Sequence, residues 1–274
     1  MHILLSNDDG VWAKGLCDLA AELAKTHRVT IVAPELEQSA KSHALTIHTP
    51  VRLRKFSEPG DNPMRYAVTG TPTDCVKFAL SYFLADDMPD LVISGVNNGF
   101  NLGSDALYSG TVGAAMEALI FDVPALAVSV ERYNKDRSAE IMPFINEFVT
   151  EVFGRRKYHG LLNMNFAKEG PVGWENTEIL NQGLQIYRDI IDAREDRRGH
   201  KYYWIGGKLA FEPEAVPTDV AEIKNGKITV VALDWRQQDA VGTKKMTEML
   251  KDIKVSETLV ENVTPEFKKF YTQE

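Results

Sequence analysis

At 274 residues, 44% hydrophobic and 26% charged, the chain has an ordinary globular composition and enough length for one large α/β core or a core with an appendage. A formal net charge of −8 gives no broad basic field for gripping a nucleic-acid polymer, so a phosphate ligand would have to be held locally. Two cysteines, Cys17 and Cys75, make no disulfide framework, and no apolar run reaches the ~18 residues of a membrane span.

The chain opens on His2 to Leu5, an apolar run without polar alternation, as expected of a central parallel strand covered on both faces. Starting directly on a core strand, it is expected to carry no signal peptide and to be cytoplasmic. The run stops in Asn7-Asp8-Asp9-Gly10, and helical spacing follows from Trp12 to Leu23, with Leu16, Leu19, Ala20 and Leu23 on one stripe. Strand, acidic turn and helix together place a ligand site at a strand's carboxyl end. Two adjacent carboxylates there repel each other, and a hard divalent cation would offset the cost. A solvated turn is the plain alternative. Neither a Gly-x-Gly-x-x-Gly nor a Walker A sequence is present, which argues against a dinucleotide site and a P-loop NTPase.

Val29 to Ala33 is the second strand, and Glu35 to Pro50 a long polar segment on the same rim. Within it Ser39 is a candidate metal hydroxyl, and Lys41 and His43 are candidate phosphate contacts or simply solvated side chains. Val51 to Phe56 and Tyr66 to Thr69 read as strands around a Pro- and Gly-containing turn. Thr73, with Pro72 ahead of it, is the expected cap of a helix over Cys75 to Leu84. Leu91 to Ser94 is a buried strand running into Gly95-Val96-Asn97-Asn98-Gly99-Phe100-Asn101-Leu102-Gly103. That loop offers close backbone approach and neutral oxygen donors. Ser109-Gly110-Thr111 opens a helix over Val112 to Phe121, an anion site by virtue of free amides and the positive dipole end. Ala125 to Val130, Ile141 to Phe153 and Leu161 to Phe166 continue as strand, helix and strand.

The repeated β-α-β order predicts a three-layer α/β/α fold, a Rossmann-like doubly wound and mostly parallel sheet. Residues 1–170 form the expected catalytic core. Residues 171–274 are expected to complete the fold with a hairpin extension and to mediate oligomerisation. The hairpin pairs Gln185 to Ile191 with Lys201 to Ile205 across a charged turn. Pro217-Thr218-Asp219 starts a short helix, Lys227 to Leu233 is a last strand, and the tail is expected to be partly helical. Ile186, Tyr187, Ile190, Ile191, Tyr202, Tyr203, Trp204 and Ile205 in the hairpin need a partner surface. So do Leu250, Ile253, Val255, Leu259, Val263 and Phe267 in the tail.

Several long motifs in one order carry a resemblance over about the first 130 residues. They are Ser6-Asn7-Asp8-Asp9-Gly10, Gly70-Thr71-Pro72-Thr73-Asp74-Cys75-Val76 and Pro89 to Asn97. Asn101-Leu102-Gly103 and Tyr108-Ser109-Gly110-Thr111 follow, through to Ala114-Ala115-Met116-Glu117, with Thr218-Asp219 as a weaker echo. The chain resembles the SurE family, the survival-protein nucleotidases. The resemblance implies a phosphomonoesterase acting on nucleoside 5′- and 3′-monophosphates, with short polyphosphate as a further substrate. It implies one divalent cation per subunit (Mg²⁺, Mn²⁺ or Ca²⁺) held by Asp8, Asp9, Ser39 and Asn97, with Asp8, Asp9 and Asn97 as the catalytic set. Asn7, Gly95, Asn98, Ser109, Gly110 and Thr111 are the expected phosphate- and substrate-binding residues. A homodimer or homotetramer with exchanged C-terminal elements is implied as well. One departure stands beside Ser39: the family's typical Gly is replaced by Ala40, which cannot reach positive φ cheaply.

The donor set agrees with that chemistry. Carboxylates, an amide and a hydroxyl are all oxygen ligands, suited to Mg²⁺, Mn²⁺ or Ca²⁺ rather than zinc. Two other readings stand beside metal-assisted water attack: an aspartyl-phosphate phosphatase using Asp8 or Asp9 as nucleophile, and a non-catalytic nucleotide or phosphate sensor on the same fold.

Overall fold

The computed structural model describes residues 1–210 and 216–249. In chain order the elements are β1 (His2–Ser6), α1 (Lys14–Leu23), β2 (Arg28–Pro34), β3 (Leu53–Lys55), β4 (Met64–Val68), α2 (Pro72–Phe78), β5 (Leu91–Asn98) and α3 (Gly110–Ile120). They continue with β6 (Ala125–Val130), α4 (Lys135–Phe148), β7 (Leu161–Phe166), β8 (Thr177–Ile179), β9 (Ile186–Glu195), β10 (Lys201–Ala210), α5 (Asp219–Glu222), β11 (Ile228–Leu233) and α6 (Ala240–Met249).

Nine strands form one sheet in the order β3-β4-β2-β1-β5-β6-β7-β11-β8. From β4 through β7 every pairing is parallel. Antiparallel pairs enter only with β3 on β4 and β11 on β7. The apolar run at the N-terminus is explained by its place in the middle. Ile3 and Leu5 pack with Leu16, Leu19, Ile141 and Phe144 under α1 and α4. Leu4 faces the other way, into Val76, Ala79, Ala114 and Ala118 under α2 and α3. A strand buried on both faces favours apolar residues at successive positions, so the apolar–polar alternation is lost. The three-layer doubly wound fold is therefore as expected.

The chain leaves β1 toward β2 and β4, then resumes on the other side with β5, β6 and β7. The β1–β5 boundary is thus the switch point of the sheet, where a crevice opens outside the strand carboxyl ends.

Several local expectations are corrected. Thr73 does not cap α2: Thr71 does, its Oγ1 accepting from Asp74 N at 3.1 Å while Asp74 Oδ2 accepts from Thr71 N at 2.8 Å. Pro72 occupies the first helical turn, where its fixed φ and missing N–H cost nothing, so the cap falls one residue before it. The helix begins at Pro72, ahead of the expected Cys75, and beyond Phe78 its turns widen to π over Ala79–Phe83. α1 starts at Lys14 because Trp12 still belongs to the turn. Cys17 is only half-buried, whereas Cys75 is buried.

After β7 the chain both extends the sheet and leaves it. β11 pairs with β7 from Ile228↔Phe166 to Leu233↔Leu161, and the three-residue β8 closes the edge. β9 and β10 form a separate hairpin with ten register pairs, Ile186↔Ala210 through Glu195↔Lys201. The tail positions from Leu250 onward lie outside the described residues. No helix among the described residues is long and apolar enough to cross a membrane.

Candidate active site

The site is assembled where β1, β2, β5 and the start of α3 meet. Asn7 sets the first turn: its Nδ2 donates to Gly10 O at 3.1 Å and its Oδ1 accepts from Gly10 N at 3.2 Å. Both ends of this fully buried amide are thereby spent on the turn. Gly10 sits at φ +105°, a conformation that favours glycine. The closed turn presents Asp8 and Asp9 side by side.

Asp8 is 5% exposed and packs against the first turn of α3. Its Oδ1 accepts from Thr111 Oγ1 at 2.5 Å, and a Cβ on Gly110 would lie 3.0 Å from its own Cβ. Only glycine permits this approach. Burial pushes the Asp8 carboxyl up, opposed by hydrogen bonds from the hydroxyl and backbone of Thr111. Asp9 is pushed up to about 6, first by burial and then by the charges of Asp8 and Glu37, with an Asn98 backbone hydrogen bond opposing. Among the described residues neither aspartate has a lysine, arginine or histidine within ion-pair distance. Two crowded carboxylates without a basic neighbour make a strongly cation-seeking locus.

β5 supplies the opposite wall. Its register shifts between Ser94 and Asn97, and a Cβ on Gly95 would lie 2.4 Å from Val128 O. Gly95 is therefore fixed by packing on β6. Asn97 is half-buried and its Nδ2 donates to Gly99 O at 2.9 Å, leaving Oδ1 uncommitted among the described residues. Asn98 is a brace: its Oδ1 accepts from Tyr133 N at 2.8 Å, and its backbone serves Asp9.

At the head of α3, Ser109 Oγ accepts from Val112 N at 3.1 Å and caps the helix. The Thr111 donors are engaged by Asp8, whereas Ser109 Oγ only accepts, so the Gly110 N–H and the Ser109 O–H remain as donors at the head of the helix among the described residues. Of the three residues expected to meet an anion here, Thr111 alone is turned to Asp8, and the other two keep donors to offer.

The segment after β2 crosses in front. Gln38 N donates to Asp8 O at 2.7 Å, which brings the neighbouring Ser39 to the acidic turn. Ser39 is exposed and its Oγ donates to Glu37 Oε1 at 2.7 Å. Ala40 holds φ +56° and Ser42 φ +54°, left-handed values that cost roughly 1–2 kcal/mol each outside glycine. The strain expected from alanine in this place is present. His43 turns away from the turn, its Nε2 lying 2.7 Å from Glu117 Oε2. Sequence reasoning missed Glu37, because one acidic residue in a polar loop carries no periodic or motif signal. No three or more His, Cys, Asp or Glu side chains converge as a metal cluster among the described residues. A cation here would need the amide and hydroxyl oxygens as well.

Comparison with known proteins now bears on this geometry. The family model described as survival protein SurE matches residues 3–189. The 5′-nucleotidase SurE of Thermoanaerobacter sp. strain X514 is 42% identical over 238 residues, covering 86% of this chain and 92% of that protein. That of Natranaerobius thermophilus is 38% identical, covering 87% and 95%. The crystal structure of the SurE protein from Aquifex aeolicus superposes with a TM-score of 0.74 at 30% identity, covering 91% of this chain and 99% of that one. With more than half of its length matched by the family model and its relatives aligned nearly end to end, the chain belongs to the SurE family.

Proposed function

We propose that this protein is a phosphomonoesterase that hydrolyses nucleoside monophosphates, 5′-phosphates foremost, using a divalent cation held by Asp8, Asp9, Ser39 and Asn97. The single observation that carries this reading is the pair of crowded carboxylates at the sheet's switch point, Asp8 buried and Asp9 half-buried, beside a free helix-terminal amide. The residues fit a hard cation: all the donors are oxygens, and Asn97 Oδ1 is uncommitted among the described residues. When bound, such an ion supplies charge neutralisation for the phosphoryl oxygens and a water of lowered pKa. The chain's own part is orientation. Gly110 N–H and the backbone around Gly95 to Asn97 donate to phosphate oxygens, including the charge that develops as the ester bond breaks, while Asn98 N–H stays on Asp9. Thr111 fixes the Asp8 carboxylate so that it does not reorganise during reaction.

Direct attack by water is favoured over an aspartyl-phosphate. Asp8 is buried with Oδ1 spent on Thr111, and Asp9 is needed for the cation. Activity on 3′-phosphates and on short polyphosphate extends the same reading. The test is phosphate release from a panel of nucleotides, with and without each divalent metal. Release that needs Mg²⁺, Mn²⁺ or Ca²⁺ and stops in chelator is expected. Undiminished release in excess chelator refutes the cation. Nucleotide binding with no release at all leaves a sensor instead.

The same reading includes self-association. Ile190, Ile191, Trp204 and Ile205 are 48, 58, 61 and 84% exposed on a two-stranded hairpin that is marginal alone in water. A second copy of the chain is the proposed cover, with tetramers as pairs of dimers. Light scattering at micromolar concentration should give at least twice the 30.7 kDa chain mass. A monomer that keeps full activity on dilution would overturn this.

A further inference from the structure

The loop that brings Ser39 to the acidic turn is held at both ends but strained in the middle. Upstream, Gln38 N is bonded to Asp8 O. Downstream, Ser42 N and Oγ donate to Tyr108 O at 3.1 Å and Leu107 O at 2.6 Å. Ala44 O accepts from Thr71 Oγ1 at 2.7 Å, and Thr46 N donates to Asp74 Oδ1 at 2.9 Å. Ala40, between these anchors, and Ser42, itself an anchor, are left-handed and would relax to an extended conformation if the downstream anchors loosened. Relaxation would carry Ser39 away from Asp8.

One anchor differs from the rest in kind. His43 meets Glu117, whose side chain is 3% exposed in the middle of α3, and Lys77 Nζ on α2 reaches the other oxygen of Glu117 at 2.8 Å. Burial raises the Glu117 carboxyl, but hydrogen bonds and charge from His43 and Lys77 outweigh it and hold it below its ordinary value. Three elements thus converge on one buried carboxylate: the loop, α2 and α3. The loop also lies directly on α3 at Gly113, where a Cβ would come within 2.6 Å of Ser42 O and 3.1 Å of His43 Cα. Charge-assisted bonds to a fixed, desolvated carboxylate are stronger than the surrounding backbone contacts.

We propose that His43, gripped by Glu117 and Lys77, is a positioning residue that holds the strained Ser39 loop against the acidic turn. It touches neither substrate nor cation; it sets where Ser39 stands. The proposal rests on the reading of Ser39 as a cation ligand, and the experiment separates the two. His43→Ala, His43→Gln, Gly113→Ala and the double variant Ala40→Gly with His43→Ala are compared with the wild type. Mn²⁺ affinity is measured by calorimetry without substrate, and amide exchange is followed over residues 38–44.

His43→Ala should weaken Mn²⁺ binding about tenfold and speed exchange in the loop, with the thermal midpoint lowered by roughly 2–8 °C as one oxygen of Glu117 loses its partner. Gly113→Ala, which strengthens the helix itself, should likewise weaken Mn²⁺ binding and speed loop exchange by pushing the loop off. His43→Gln, which keeps a donor for Glu117, should stay near wild type. Ala40→Gly should recover most of the His43→Ala loss, because glycine holds φ +56° without strain. Wild-type exchange and affinity in His43→Ala would overturn the proposal. So would equal loss in His43→Gln or no recovery with Ala40→Gly. If the wild type binds no Mn²⁺, the cation reading fails, and loop exchange alone decides whether His43 holds the loop.

Discussion

Asp9→Asn should lower phosphate release by at least roughly 10²–10³-fold, the loss that follows removal of one preorganised electrostatic group, while leaving the fold as stable as before or more so. The first half follows from the proposed cation, which loses a formal charge from its ligand set. The second follows from the site's own electrostatics. The folded Asp9 carboxyl is raised from 3.8 to about 6, chiefly by burial and then by Asp8 and Glu37. A group whose pKa is higher folded than unfolded binds its proton more tightly in the native state. Its ionisation therefore destabilises the cation-free protein as pH rises through about 4 to 6. At pH 7.5 in chelator the wild type carries that penalty and the asparagine variant does not. Equal or higher thermal midpoints in chelator, together with lost turnover in Mn²⁺, are the expected pair of results. A midpoint several degrees lower would mean that the ionised Asp9 is held by stabilising contacts. Near-wild-type turnover would remove Asp9 from the site.

The sequence made the core legible because its strands are buried on both faces. Ile3-Leu4-Leu5 and Leu91-Val92-Ile93 stand out as unbroken apolar runs, and Val29 to Ala33 is broken only by Thr30, since each lies inside the parallel block of the sheet. The acidic turn was legible for the opposite reason: Asp8-Asp9 after such a run is electrostatically unfavourable without a counterion. Features that depend on contacts between distant segments were hidden. Asn7, Ser109 and Asn98 read as free polar groups along the chain, but the fold engages both ends of the Asn7 amide with Gly10 and uses the Ser109 and Asn98 side-chain oxygens as acceptors for Val112 N and Tyr133 N. The cap of α2 lies two residues before the expected Thr73, because Ser/Thr preference alone does not choose between Thr71 and Thr73. The Asp74 side chain returning to Thr71 N decides it. β8 is too short, at three residues, to show any periodicity.

Asp219 is the clearest case of a residue whose role the sequence concealed, and its removal should cost the fold heavily. In the sequence it is one acid at the start of a short helix. In the structure it is fully buried, and its carboxylate gathers three backbone donors from separate segments. Oδ2 accepts from Gly103 N at 2.9 Å, and Oδ1 from Gly183 N at 2.7 Å and Val220 N at 2.9 Å. A Cβ on Gly103 would lie 2.6 Å from Gly183 O, so the two loops touch around the carboxylate. Just upstream, Asn101 is pinned by Asn163, Asn165 and Ser129 at the ends of β6 and β7. The segment that begins as Asn97 at the site therefore ends tied to the C-terminal part of the chain through Asp219. Asp219→Ala would strand three buried N–H groups at once. Hydrogen bonds to a charged group contribute about 1.5–3 kcal/mol each, so a net loss of roughly 3 kcal/mol or more is expected. At about 2–4 °C per kcal/mol for a chain of this size, the thermal midpoint should fall by about 6–12 °C. Asp219→Asn, which keeps Oδ1 as an acceptor but turns a donor toward Gly103 N, should fall between. Loosening of the Asn97 to Gly103 segment should also lower turnover in the folded fraction, where the wild-type rate would be retained if Asp219 were only a remote strut. A midpoint shift below about 2 °C in the alanine variant would show that these loops are held by other contacts and would sink the assignment.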